Sequence, residues 1–166
     1  KLFTEHKRII FNGNGYSDEW VEEAAKRGLP NITSMVDAIP ALVTDKAVKL
    51  FENFGVFTKA ELESRVEIQY EAYSKAINIE AKSMIDITSK QIIPAVISYT
   101  TELAGSVSAV KEAGADASVQ SDLLAEVSSY LKEMKTQLTT LIKVTDEAAQ
   151  ITDAAAQAKA YRDSVK

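Results

Sequence analysis

Cysteine is absent from the 166 residues, which excludes disulfide scaffolds, thiolate zinc sites and cysteine nucleophiles. Histidine is almost absent: His6 stands alone, and most metal-ligand sets and general-base schemes need more than one imidazole or one better placed. Basic charge is in deficit, with 19 Lys and Arg against 24 Asp and Glu, a net charge of -5. The basic residues are dispersed, and Lys7-Arg8 is the tightest pair in the opening segment. A nucleic-acid surface needs them clustered. No apolar run approaches the roughly 20 residues that cross a bilayer, and no signal-peptide pattern opens the chain. What is present is an ordinary folded-domain composition, 46% hydrophobic and 26% charged, at a length that supports one domain with a core. The expected compartment is the cytoplasm. The chain opens on Lys1 rather than Met and runs out in helical sequence at Ala160 to Lys166, so it reads as a piece of a larger polypeptide.

With only 3 Pro and 6 Gly, the punctuation is sparse and legible. Ile9 to Phe11 is the one short strand-like run. Asn12-Gly13-Asn14-Gly15 is a turn, because Gly and Asn tolerate positive φ. Ser17 is placed to cap a helix from about Asp18 to Arg27 with acids in its first turn, which Gly28 and Pro30 end. Ser34 caps one short turn before Pro40. Thr44 caps Asp45 to Phe54, whose predicted buried face is Ala47, Val48, Leu50, Phe51 and Phe54, ending at Gly55. Thr58 and Glu61 form a capping box, with Phe57 and Leu62 as the hydrophobic staple. From Lys59 the pattern stays helical to about Ala113, roughly 80 Å, with Leu62, Val66, Tyr70, Tyr73, Ile77, Met84 and Ile85 on its apolar side. Pro94 predicts a kink or short break within it. Ala113 to Asp116 is a turn. Beyond it Leu124, Val127, Leu131, Met134, Leu138, Leu141, Thr145 and Ala148 recur at spacings of three and four, a coiled-coil-like seam. A weak joint at Ile151-Thr152 precedes a last helix, Asp153 to Val165, with little to bury except Tyr161 and Val165.

No constellation of residues assembles an active site. Gly13-Asn14-Gly15 before a helix lacks the third glycine of a dinucleotide fingerprint, Asp18 standing there instead, and no Lys-Ser or Lys-Thr makes it a P-loop. An acid at a helix N-terminus also repels phosphate. Di-iron bundles need two Glu-x-x-His motifs, and there are none. Glu63, Glu67 and Glu71 share a helical face and read as a solvated column with Glu71 paired to Lys75. Tyr70, Tyr73 and Tyr99 read as core and interface aromatics. No Ser shares an element with a His. We therefore assign no catalytic, cofactor-binding or metal-binding residue to this chain.

The opening His6-Lys7-Arg8-Ile9-Ile10-Phe11-Asn12-Gly13-Asn14-Gly15-Tyr16-Ser17-Asp18-Glu19-Trp20 resembles the pattern H-K-R-(I/V)-(I/V)-F-N-G-(N/D)-G-Y-S-x-E-W of type III glutamine synthetases. The likeness continues through Glu23-Ala24, Arg27-Gly28-Leu29-Pro30-Asn31 and Asp37-Ala38-Ile39-Pro40. It goes on through Glu61-Leu62-x-Ser64-Arg65, Ile77-Asn78-Ile79-Glu80-Ala81 and Ile93-Pro94-Ala95-Val96. Near the end, Gln157-Ala158-x-Ala160-Tyr161-Arg162-Asp163-x-Val165 is similar to the family's Q-A-x-Y-Y-R-D-x-V. Between Glu102 and Ala156 only helical character matches.

The resemblance implies the C-terminal domain of a ligase that makes glutamine from glutamate, ammonia and ATP with Mg (or Mn). Its metal-binding glutamates and phosphate-contacting arginines would lie upstream, in a catalytic domain that is this chain's implied partner. It also implies a homo-oligomer, a dodecamer of two stacked hexameric rings, with the long hairpin donating contact surface. Arg8, Tyr16 and Trp20 are then expected to anchor the junction. The expected fold is all-α: a long antiparallel helical hairpin or bundle with short N-terminal helices. Residues 1–58 form the junction motif and short helices, and residues 59–166 the hairpin with its kink near Pro94. The alternative is a coiled-coil signalling or scaffolding module, since Asp146-Glu147-Ala148-Ala149-Gln150 and Ala154-Ala155-Ala156-Gln157 resemble chemoreceptor helices. Pro94 and the irregular first 58 residues speak against it.

Overall fold

The computed structural model describes residues 2–166, and among them it is all-α. Four short helices come first: α1 (Leu2–Glu5), α2 (Asp18–Lys26), α3 (Met35–Ala38) and α4 (Asp45–Asn53). A 3-10 turn spans Lys7–Ile9, so the strand-like run Ile9 to Phe11 forms no strand. A second 3-10 segment, Ile39–Val43, carries the chain through Pro40 into α4. Two of the expected caps work differently from the reading above. Ser17 holds the N-cap position, but its hydroxyl donates back to the Asn14 carbonyl at 2.8 Å and makes no bond to a helix amide. Ser34 is extended at its N-cap and makes no side-chain cap bond.

The capping box at Thr58 is complete. Its hydroxyl accepts from the Glu61 amide at 3.3 Å, and the Glu61 carboxylate accepts from the Thr58 amide at 2.8 Å. These bonds, the backbone one foremost, hold the Glu61 carboxyl below its ordinary range. From this start α5 (Lys59–Ile87) runs through a π turn, Thr88–Ile92, into α6 (Ile93–Glu112), one continuous helix of 54 residues. The interruption expected at Pro94 is this π turn. Proline has no amide hydrogen, and in a regular ladder its ring would meet the carbonyl four residues back. Widening the preceding turn, with the Ile93 amide donating to the Thr88 carbonyl, accommodates it without breaking the axis.

Gly114 reverses the chain at φ 75°, a conformation that costs other residues a Cβ clash. Asp116 then accepts from the amide and hydroxyl of Ser118 at 2.9 and 3.0 Å, standing in for the side chain that Ala117 lacks at the N-cap. Next, α7 (Ser118–Ala149) returns antiparallel along α6 and the end of α5, and its seam is the expected one: Leu138, Thr145 and Ala148 are buried, and Leu124, Val127, Leu131, Met134 and Leu141 half-buried. Across the joint, Asp153 caps α8 (Ala154–Ala160), accepting from the Ala156 amide at 2.7 Å, and a π turn ends the helix at Tyr161–Val165.

The core sits at the base of the hairpin, where α3, α5, α7 and α8 meet. Val36, Ile39, Tyr70 and Ala158 form one cluster, and Ile77, Ala148 and Tyr161 the next, with Tyr73 touching both. Three expectations about burial need correcting. The last helix buries more than Tyr161 and Val165: Ala158 is 0% exposed, because its small side chain lets α8 approach α5 closely. Tyr99 is exposed, since at its level α6 has only α7 beside it, and Met84 is likewise exposed on the rim of a groove. The apolar face of α4 is not buried: Ala47, Val48 and Phe51 are partly covered, while Leu50 and Phe54 point away from the rest of the chain.

Candidate functional site

The opening segment is closed by one side chain. Arg27, at the end of α2, donates through its guanidinium to the carbonyls of Arg8 at 2.9 Å and Ile10 at 3.0 Å, and pairs with Glu23 at 2.6 Å. Beneath it Phe11 and Trp20 pack with ring centroids 4.6 Å apart, and the guanidinium stands 5.8 Å from the Trp20 ring and 5.9 Å from that of Phe11. The Phe11 ring folds over Gly13 so closely that a Cβ there would lie 2.5 Å from it, so any larger residue would have to displace the ring. Asn14 completes the turn, its side-chain oxygen accepting from the Tyr16 amide at 3.0 Å. Trp20 therefore packs inside the clasp, Arg8 contributes a backbone carbonyl, and Tyr16 stands fully in solvent. The sequence named the members of this motif but not the residue that joins them. Arg27 was legible only as part of Arg27-Gly28-Leu29-Pro30.

Removing the guanidinium leaves two carbonyls and Glu23 without their donor. Charge-assisted bonds of this kind contribute about 1–2 kcal/mol where a quarter of the side chain meets water. Trp20 is the single tryptophan and reports on the clasp directly. Arg27→Ala is expected to red-shift and broaden its emission while far-ultraviolet circular dichroism barely changes. An unshifted spectrum would mean that the clasp holds without Arg27.

A second junction lies at the base of the hairpin. Arg162 reaches from the C-terminal π turn to Asp37 of α3 at 2.5 Å, 125 residues away in sequence, and also holds Asp163 at 2.6 Å. The bond to Arg162 keeps the Asp163 carboxyl below its ordinary value, and the two carboxylates push the guanidinium still higher. One turn earlier, Gln157 donates to the carbonyls of Ile151 at 2.9 Å and Ala148 at 3.3 Å, bracing the joint between α7 and α8. Tyr161 is 2% exposed against Ile77 and Ala148, and burial raises its hydroxyl pKa, with a smaller push from Asp146. Burial also raises that of Tyr70, with Asp37 and Asp153 adding to it.

The other sequence candidates do not converge. His6 is exposed in the turn after α1. Glu63 and Glu71 pair with Lys59 at 3.6 Å and Lys75 at 2.8 Å on the solvent side of α5, and Glu67 is exposed beside them. Among the described residues no three His, Asp or Glu side chains are grouped to hold a metal ion, and no helix is long and apolar enough to cross a membrane. A groove of about 380 Å³ between α5, α7 and the C-terminal turn is lined chiefly by Met84, Met134, Leu138, Leu141, Val144 and Val165. These side chains offer packing surface, and Lys166 is the ionisable residue on the lining. The chemistry of both junctions is cohesive: guanidinium to carbonyl, guanidinium to carboxylate, amide to carbonyl.

The sequence profile described as the glutamine synthetase C-terminal domain matches residues 1–111. A protein named glutamine synthetase from Butyrivibrio fibrisolvens is 38% identical over 162 residues, covering 96% of this chain and 23% of that relative. One named type-3 glutamine synthetase from Dictyostelium discoideum is 41% identical over 106 residues, covering 64% of this chain and 14% of the relative. A glutamine synthetase from Bacteroides fragilis is 33% identical over 104 residues, covering 63% and 14%. The chain thus spans less than a quarter of the length of the curated relatives it matches.

Proposed function

The chain belongs to the glutamine synthetase C-terminal domain family, and from that premise we propose that it is the helical accessory and assembly domain of a type III glutamine synthetase. The complete polypeptide makes glutamine from glutamate, ammonia and ATP with Mg or Mn, in the cytoplasm. The observation that carries this reading is where the family-like residues go. Asp37 lies far in sequence from Gln157, Tyr161 and Arg162, yet all four meet at the base of the hairpin, where Arg162 bonds Asp37, Gln157 bonds backbone carbonyls and the Tyr161 ring packs in the core. Such residues hold a shape. They do not meet in a cleft, and among the described residues no three His, Asp or Glu side chains are grouped to hold a metal ion. In this reading ATP and metal belong to the rest of the polypeptide.

In this reading residues 1–58 join the catalytic domain to the hairpin, and residues 59–166 supply surface to a closed homo-oligomer of two stacked hexameric rings. The outer half of the hairpin suits that role. There α6 packs chiefly on α7, and the α7 seam, Leu131 included, stays half-exposed. A two-helix layer gains stability when a further layer covers it.

The test has two arms. Titration calorimetry of this chain with MgATP is expected to show no binding, while the complete polypeptide turns over glutamate and ATP and sediments as a large ring assembly. Leu131→Glu in the complete polypeptide is expected to shift sedimentation toward smaller species. Turnover by this chain alone would sink the accessory reading. Wild-type sedimentation of Leu131→Glu would sink the assembly role.

A further inference from the structure

The apolar face of α4 is the largest disagreement between the helix pattern and its burial. Ala47, Leu50, Phe51 and Phe54 recur at the spacing of a core-facing stripe, and Thr44 and Gly55 fix both ends of the helix. Its inner edge is held, with Phe51 packed on Phe57 at 5.7 Å and Arg65 stacked over Phe57 at 4.2 Å. Its outer edge is open: Leu50 is 53% exposed, Phe54 75% and the adjoining Val56 54%. Among the described residues none covers these three large apolar side chains, which lie along α4 and the turn that ends it.

The rim says what kind of surface could. Asp45, Lys46, Lys49 and Glu52 flank the stripe and balance one another in charge. A membrane-surface helix carries an excess of Lys and Arg, whereas an apolar centre with a mixed polar rim is the anatomy of a protein interface. Size narrows it further. Nine residues make a helix about 13 Å long, and one face of it offers a few hundred Å² at most, against the roughly 800 Å² per partner of a stable interface between separate chains. A tethered partner needs much less, because linkage holds it at an effective concentration on the order of millimolar. The chain covers only 23% of the Butyrivibrio relative, so most of such a polypeptide lies outside it.

We propose that the ridge Leu50, Phe54 and Val56 is an intramolecular docking surface, covered by the catalytic domain of the same polypeptide. The inference rests on the reading that this chain is one part of that longer enzyme, and it identifies α4 as the element that registers the two parts against each other.

Hydroxyl-radical footprinting of the complete polypeptide tests it, with the reactivity of Phe54 and Leu50 in urea as the reference. An uncovered Phe54 reacts near the unfolded rate, whereas docking is expected to protect it roughly ten-fold or more, equally at low and high protein concentration. Phe54 reacting near its unfolded rate overturns the proposal. Protection that grows with concentration also overturns it, because a second chain would then be the cover. The footprint is read whether or not the polypeptide makes glutamine, so failure of the ligase reading and failure of the docking surface are seen separately. Phe54→Asp supplies the converse: faster proteolysis between the two parts, with helix content unchanged. A variant as resistant as the parent counts against docking.

Discussion

Tyr161→Ala is expected to lower the stability of the chain by about 3–5 kcal/mol, the range for truncating a fully buried aromatic. Tyr161 is 2% exposed and packs against Ile77 of α5 and Ala148 of α7, so its ring joins the C-terminal π turn to both long helices. At roughly 2–4 °C per kcal/mol for a chain of this size, the melting midpoint falls by about 10 °C or more. Because Arg162 is the next residue of the π turn, loosening that turn also strains the bond to Asp37. Tyr161→Phe keeps the ring and is expected to cost under about 1 kcal/mol, since the hydroxyl takes part in none of the side-chain hydrogen bonds at this junction. Thermal unfolding followed by circular dichroism at 222 nm decides it. Equal midpoints for the Ala and parent chains would show that the ring is not the wedge described here.

Much of this fold was legible because its signals are local. A capping box needs four residues, a glycine stop needs one, and the seam from Leu124 to Ala148 is a spacing rule. Each survives tertiary context because the helix it defines is long. Thr145 shows how strongly register dominates. It is 1% exposed at a seam position although its hydroxyl has no hydrogen-bond partner, a cost on the order of 1–3 kcal/mol that the surrounding packing carries.

What the sequence hid was non-local. The stripe on α4 obeys the same rule as the stripe on α5, yet one is open and the other covered, and only the positions of neighbouring elements distinguish them. Alanines hid in the opposite sense. A run of them reads as helix propensity with little to bury, whereas Ala158 is the most buried residue in the core. The two arginine junctions were hidden for the same reason. Arg27 finds Ile10 across 17 residues and Arg162 finds Asp37 across 125, and no period or cap rule reaches that far. The resemblance had placed both arginines inside motifs without saying what they touch.

Ala158 supports the second large expectation. The residue is 0% exposed, with Val36, Ile39 and Tyr70 around it and Val66 and Tyr73 just outside. There α8 meets α3 and α5, and the groove described above does not open onto it. Ala158→Leu adds three carbons to a site already filled. Overpacking of this kind typically costs about 1–3 kcal/mol and is relieved by backbone movement. The movement available is the lifting of α8 away from α5, which would also draw Arg162 from Asp37 and expose Tyr70. The loss should therefore sit at or above the upper end of that range. It should also be spatially specific: faster amide exchange in α8 and α3, with the far end of the α6–α7 hairpin unchanged. Ala158→Gly separates packing from helix propensity, because it removes a methyl without crowding and costs about 1 kcal/mol by propensity alone. If Leu were tolerated within about 0.5 kcal/mol, α8 would be resting on α5 with slack, and close approach through a small side chain would not be what seats the end of the chain on the base of the hairpin.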